Sequence, residues 1–158
     1  MKRLLTIGFL LALPYMGNCE PDFPLTADSK PQENNPKGEL LKFQFEESRI
    51  FPGTTREVTV YVPHQYDGVK PACVYVNQDG VQWNAPTVFD NLIAKGEIPI
   101  LIGVFIKPGV VKSADEKTAL PRFNRSLEYD GLGPDYAEFI LKEILPAVEK
   151  LSTADGRK

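Results

Sequence analysis

The chain has 158 residues, of which 42% are apolar and 25% are charged, a balance typical of a single globular domain. Its formal net charge is −3 and it contains no basic run. It therefore lacks the electrostatic footprint of a nucleic-acid-binding protein, and we expect no nucleic-acid partner.

The first nineteen residues have the layout of a secretory signal peptide. Lys2 and Arg3 give a positive start, and residues 4–13 form an apolar run that is too short to span a bilayer core of roughly 30 Å as a helix. A buried N-terminal strand or helix is the alternative. We expect no transmembrane span and export to the periplasm or the medium, with the mature chain starting near Glu20. A lipid anchor on Cys19 is the alternative to a cut after it.

Removal of residues 1–19 leaves 16 basic and 21 acidic side chains, a net charge of about −5. Cys73 is then the single cysteine, so no internal disulfide is possible, and His64 is the single histidine. These counts exclude a structural zinc site of the Cys/His type. We assign no metal ion and no cofactor.

The remaining chain divides into a linker and one domain. Residues 20–38 carry four prolines among polar side chains without apolar periodicity, which predicts a Pro-rich linker. In the domain, residues 39–158, apolar side chains alternate over 41–45 and again over 56–62 before Pro63. This period of two predicts an antiparallel pair of strands at a sheet edge.

The pattern changes after Pro71. Residues 72–76 and 98–106 are continuously apolar, as expected of strands covered on both faces, and a helical pattern over 86–95 separates them. This order predicts a βαβ unit with parallel strands, and hence an α/β fold. A long polar connection, 107–133, leads to an amphipathic helix over 134–150 that Pro146 should kink.

Several expected catalytic motifs are missing from the sequence. No G-x-S-x-G occurs, and Gly131 and Gly133 are followed by Tyr136 where a dinucleotide-binding loop needs a third glycine. His64 follows a strand end and fits a surface turn better than a catalytic base. Cys73 lies in a strand predicted to be buried, where a thiol is inert. We therefore assign no catalytic residue.

A series of short segments, taken in order, carries a family resemblance. They are Tyr61-Val62-Pro63, Asp79-Gly80 with Trp83 after it, Asp90–Ile93, Gly96–Pro99, Asn124–Asp130 and Glu143–Pro146. Together they resemble the Putative esterase family, the enterochelin esterase and esterase-D-like branch of the α/β hydrolases, over roughly residues 40–150. The resemblance implies an incomplete α/β-hydrolase-like sheet, with an antiparallel edge pair followed by parallel strands and with helices on the faces.

The resemblance also implies a function. Members hydrolyse carboxylic esters with a serine nucleophile, whose serine, acid and histidine lie further along the family domain. The chain would then be an exported esterase-like hydrolase of small-molecule or carbohydrate esters, truncated before the nucleophile and inactive alone. A non-catalytic exported binding module on the same fold and a non-functional remnant are the alternatives. The last parallel strand would have an open edge, which favours self-association.

Six residues are candidates for the site. Asp79, Gly80 and Val81 follow the first buried strand, where a backbone N–H of an oxyanion hole belongs, although a simple tight turn fits them equally well. Arg125 could hold a substrate carboxylate or phenolate, or pair with Glu128 on its own loop. The remaining two could form an aromatic wall or pack in the core: Trp83 and Tyr129.

Overall fold

The computed structural model describes residues 25–115 and 117–157. The predicted signal peptide and its cleavage point lie outside the described residues. The elements, in chain order, are a 3₁₀ turn Ala27–Ser29, β1 Glu39–Phe45, β2 Thr54–Val62, β3 Cys73–Gln78, α1 Ala85–Lys95, β4 Leu101–Ile106, β5 Val110–Val111, β6 Arg122–Phe123, α2 Arg125–Tyr129, α3 Asp135–Phe139, a π-helical turn Ile140–Ile144 and α4 Leu145–Val148. Within this part of the chain, no helix has the length and apolar character needed to cross a membrane.

The strands form a mixed sheet in the order β1–β2–β4–β3. β1 and β4 both run antiparallel to β2, whereas β3 and β4 are parallel and joined through α1. β5 pairs with the first residues of β2, and β6 pairs with β5. Because β3 and β4 are parallel, their carboxyl ends meet at the same edge of the sheet, which is where ligands bind in open α/β sheets.

Helices cover both faces of this sheet. On one face, alternate side chains of β2 and β4 pack against Phe139 and Ile144 from the C-terminal helical segments. On the other face, Tyr61 and Phe105 pack against Ile93 of α1. Since successive strand side chains point to opposite faces, the same two strands supply both halves of the core.

A glycine ends α1, and a proline changes the hydrogen bonding of the C-terminal helical segments. Gly96 ends α1 with a left-handed φ of 71°, and its N–H donates to the carbonyls of Leu92 and Ile93. Near Pro146, where the sequence predicts a kink, the chain forms the π-helical turn, and the Leu145 N–H donates to the Ile140 carbonyl. Pro146 has no N–H to give to an α-helical bond, and a shift to π-type bonding next to it re-pairs the backbone.

The segment for which the sequence predicts a linker lies against α1 where it is described. The Asn91 side chain, 1% exposed, donates to the carbonyls of Asp28 and Lys30 at 2.8 and 2.9 Å and accepts from Asn35 at 2.9 Å. Lys95 forms an ion pair with Asp28. These bonds are polar and use backbone carbonyls, so they leave no apolar periodicity in residues 25–38.

The prediction that residues 72–76 are covered on both faces is wrong. β3 lies at the edge of the described sheet, pairs only with β4 there, and exposes Cys73, Val74 and Tyr75. An apolar run does not distinguish a central strand from an edge strand, because both carry the same side chains. Of the two parallel strands, β3 therefore has the exposed edge, whereas β4, the last parallel strand, for which an open edge was predicted, lies between β3 and β2.

We accordingly expect Cys73 to react in the native state, contrary to the inert thiol that the sequence predicts. In a Cys19→Ser background, an aromatic disulfide reagent such as 5,5′-dithiobis(2-nitrobenzoate) should label about one thiol per chain without denaturant, because the Cys73 side chain is exposed. The same measurement in urea gives the unfolded reference. Labelling that needs urea would contradict the edge position of β3.

Candidate active site

The loop between β3 and α1 lies at the carboxyl edge of the parallel strands and has unusual backbone geometry. Asp79, Gly80, Trp83 and Asn84 all have left-handed φ values, of 62°, 76°, 47° and 53°. A non-glycine residue in this region costs of order 1–3 kcal/mol and persists only where the surroundings hold it. We call residues 79–84 the rim loop.

Three backbone N–H groups of the rim loop were predicted as oxyanion donors, and the structure separates them. The Asp79 N–H donates to the Tyr129 hydroxyl at 3.2 Å, and the Gly80 N–H donates to the Ile106 carbonyl at 3.0 Å. The Val81 N–H has no acceptor among the described residues. Of the three, Val81 therefore has the donor that is free to meet a ligand.

The Arg125 guanidinium binds the Asp79 carboxylate with two parallel hydrogen bonds. Its Nε and Nη2 donate to Oδ1 and Oδ2 at 2.8 and 2.7 Å, and its guanidinium carbon lies 5.2 Å from the centre of the Tyr129 ring. The alternative pairing of Arg125 with Glu128 is wrong, because Glu128 is bound elsewhere. These two bonds occupy two of the N–H donors of Arg125. The residue therefore orients Asp79, and fewer of its donors are left for a substrate carboxylate.

The Glu128 carboxylate is buried and binds Arg56 of β2. Arg56 Nη1 and Nη2 donate to it at 2.6 and 3.0 Å, and neither side chain has any exposed surface. The Gly109 N–H donates to the same carboxylate at 3.1 Å, and Arg56 also donates to the Thr54 hydroxyl at 2.7 Å. This pair joins α2, which carries Arg125 and Tyr129, to the centre of the sheet.

Sequence reasoning missed the Arg56–Glu128 pair, although a signal for it exists. Arg56 has the same parity along β2 as the buried Val58 and Val60. A charge on the inward face of a strand requires a buried partner. The pattern does not identify that partner, which is 72 residues away in sequence.

An open groove of about 490 Å³ adjoins the rim loop. It is lined by Val76, Asn77, Gln78, Asp79, Gln82, Trp83, Tyr136 and Ile140. The predicted aromatic wall is therefore rearranged. Trp83 is 82% exposed and lines the groove, whereas Tyr129 packs edge-on against Tyr136 at 5.1 Å between ring centres.

The two other reactive side chains lie away from the rim loop. His64 is exposed in the turn after β2. Because β2 is antiparallel to β4, this turn lies beside the start of β4, at the opposite end of the strands from the rim loop. Cys73 begins β3, about 17 Å of strand from its carboxyl end. Among the described residues, no group of three or more His, Cys, Asp or Glu side chains is arranged to hold a metal ion.

The protonation states of Asp79 and Tyr129 are set by their surroundings. The hydrogen bonds from Arg125 hold the pKa of the Asp79 carboxyl below its ordinary value, and the same contact raises the pKa of Arg125. Burial raises the pKa of Tyr129. At neutral pH the site therefore holds an ionised Asp79–Arg125 pair and a neutral Tyr129 hydroxyl.

We expect Arg125→Gln to raise the pKa of Asp79 toward its ordinary value. The folded-state pKa is depressed, so the stability it contributes is complete above the ordinary carboxyl pKa and is lost as pH falls through the depressed value. The Asp79 carboxyl carbon, followed by NMR against pH, reports this directly. Arg122→Gln, which removes a neighbouring arginine that contacts Asn124, is the matched control and should leave the titration unchanged.

The mixed sheet with helices packed on both faces is an α/β fold. The family model described as "Putative esterase" matches residues 49–157, and the chain belongs to this family. Among curated proteins, none is similar enough to this chain to count as a relative. The enterochelin esterase branch remains a prediction.

Solved structures of ferulic acid esterases share the fold. The CE1 ferulic acid esterase AmCE1/Fae1A of Anaeromyces mucronatus, without substrate, has a TM-score of 0.54 and 21% identity, over 78% of this chain and 47% of that one. Its complex with ferulic acid has a TM-score of 0.52 and 21% identity, over 78% and 46%. A structure described as FAE has a TM-score of 0.51 and 19% identity, over 88% and 44%. The chain thus spans less than half the length of each.

Proposed function

We propose that this chain supplies the oxyanion and substrate-binding side of a carboxylic-ester hydrolase site. The observation that carries the proposal is the Val81 N–H, which has no acceptor among the described residues and follows the left-handed Asp79 and Gly80. In α/β hydrolases one oxyanion donor comes from the loop after an early strand and the other from the residue after the nucleophile. The position of the rim loop, between β3 and α1, supports its assignment to the first of these roles.

The chemistry follows from where charge develops. When a nucleophile attacks an ester carbonyl, the carbonyl oxygen becomes an oxyanion, and a fixed N–H donor stabilises it without reorganising. The sequence contains no G-x-S-x-G. We therefore propose that the serine, acid and histidine come from residues beyond position 158 of a longer protein, and that these 158 residues alone do not turn over an ester.

The groove suggests the substrate class. Trp83 and Tyr136 present aromatic surface beside the amide groups of Asn77 and Gln82, and such mixed surfaces suit aromatic acyl groups or sugars. Ferulic acid, which one of the related structures binds, is an aromatic acid of this kind. Small-molecule or carbohydrate esters with an aromatic acyl group are therefore our proposed substrates.

Titration of the chain with methyl ferulate tests this side of the site. Amide signals of the rim loop and of Tyr136 and Ile140 should shift in ¹H–¹⁵N spectra, and the fluorescence of Trp83, the single tryptophan, should be quenched. Trp83→Ala is the control and should weaken binding. A second groove lies between β1 and the C-terminal helical segments and is lined in part by Phe43, Glu138 and Pro146. Shifts confined to that groove, or none at millimolar ligand, would contradict the proposal.

We also propose that residues 1–19 direct export and that the mature chain begins near Glu20. The support is the order of basic, apolar and polar residues at the N-terminus. N-terminal sequencing of the protein from a secreting host should find Glu20 first. A blocked, lipid-modified Cys19 would favour the membrane-anchored alternative, and retention of Met1 would overturn export.

A further inference from the structure

We infer that Arg56 and Glu128 are positioning residues, which fix α2 and through it the rim loop. The catalytic consequence of this inference rests on the proposed function. Its structural part concerns only described residues, and it is tested without any turnover.

The Glu128 carboxylate is firmly held by its neighbours. Its carboxylate accepts two hydrogen bonds from Arg56 and one from the Gly109 N–H. Arg56 is in turn held by the Thr54 hydroxyl and lies over the Phe139 ring, 4.3 Å from its centre. The packing around it is tight, since a Cβ added at Gly109 would lie only 2.4 Å from Glu128 Oε1. These neighbours hold the carboxylate in a single position.

The position of α2 depends on the bonds between Glu128 and Arg56. It has five residues, and a helix of that length is not stable on its own. Glu128 is its buried residue, whereas the Arg125 side chain is 55% exposed. The position of α2 is therefore set from the β2 side, through Glu128.

In turn, α2 holds the rim loop. Arg125 binds the Asp79 carboxylate with two hydrogen bonds, and the Tyr129 hydroxyl accepts one from the Asp79 N–H. Asp79 is a left-handed non-glycine residue, which needs such contacts to persist. Displacing α2 removes the contacts to the backbone N–H and to the carboxylate of Asp79 together. The Val81 N–H, two residues further on, then loses its fixed orientation.

Glu128→Gln in the 158-residue chain tests this relay, with the pKa of Asp79 as the readout. We expect that pKa to rise by a measurable fraction of the shift caused by Arg125→Gln, because the Asp79–Arg125 pair loosens. Removing the negative charge of Glu128 would by itself lower the pKa of Asp79, the opposite sign. A rise therefore reports displacement of α2.

The control is Ile144→Ala, a core truncation that destabilises the fold without touching α2. It should leave the Asp79 titration and the rim-loop amide shifts unchanged in the folded protein. If Glu128→Gln does not fold, Thr54→Val replaces it, since it removes one hydrogen bond to Arg56, and the same but smaller rise is expected.

An unchanged or lowered pKa of Asp79 in a folded Glu128→Gln or Thr54→Val chain would overturn the inference. So would an equal rise in Ile144→Ala, which would show a general loosening. A rise in Glu128→Gln alone, together with absence of ester turnover in a longer form of the protein, would uphold the relay while refuting the proposed function.

Discussion

Replacing Arg56 by alanine is expected to lower the free energy of unfolding by about 3–5 kcal/mol. The substitution leaves the Glu128 carboxylate buried without its opposite charge, and the Arg56 and Glu128 side chains are both fully inaccessible to solvent. Since domains are stable by about 5–15 kcal/mol, this loss should move the urea midpoint strongly. Urea unfolding followed by circular dichroism measures it.

Arg125→Ala is the matched control for this prediction. It also breaks a two-bond arginine–carboxylate pair, but the Arg125 side chain is more than half exposed, so water screens the charge that remains. Its midpoint should move far less. Equal shifts for the two variants would contradict the distinction between the buried and the exposed pair.

Removing the Val81 N–H is expected to lower kcat about 10²–10³-fold in a protein that contains this chain together with a nucleophile. The sharpest change replaces Val81 by its α-hydroxy acid analogue, which exchanges the N–H for an oxygen and keeps the side chain. KM should change little, because the bond to the oxyanion strengthens in the transition state.

Val81→Ala is the control for the N–H, because it changes the side chain and keeps the donor. It should retain kcat within a few-fold. If the α-hydroxy acid variant instead keeps its activity, the oxyanion donor is another group, and the assignment of the rim loop fails at Val81.

The sequence predicts the layers of this fold better than their edges. Strands are found where the sequence shows period-two alternation, over 41–45, and apolar runs, around Val74 and Val104. Helical segments follow Pro134, where the sequence shows an apolar stripe. Exposure of Cys73 was not predictable, because it depends on which neighbour lies beside β3. Pairing order is a long-range property that local patterns do not contain.

The candidate site shows the same division. The Asp79-Gly80 turn and its place after a strand could be read from the sequence, since glycine and short polar residues favour left-handed turns. Arg125 was recognised, but its partner was not, because Asp79 lies 46 residues earlier. The links from Arg56 to Glu128 and from Tyr129 to the Asp79 N–H appear only when the chain is folded.

We propose that this chain forms the substrate side of an ester-hydrolase site whose nucleophile lies elsewhere. The most direct test is p-nitrophenyl acetate turnover by the purified 158-residue chain and by a form extended through the downstream coding sequence. We expect saturable turnover from the extended form alone, because acyl transfer needs an activated serine or cysteine near a base. Saturable turnover by the 158-residue chain that is lost on His64→Ala or Cys73→Ala would contradict the claim, and an inactive extended form that still binds methyl ferulate would identify a binding module.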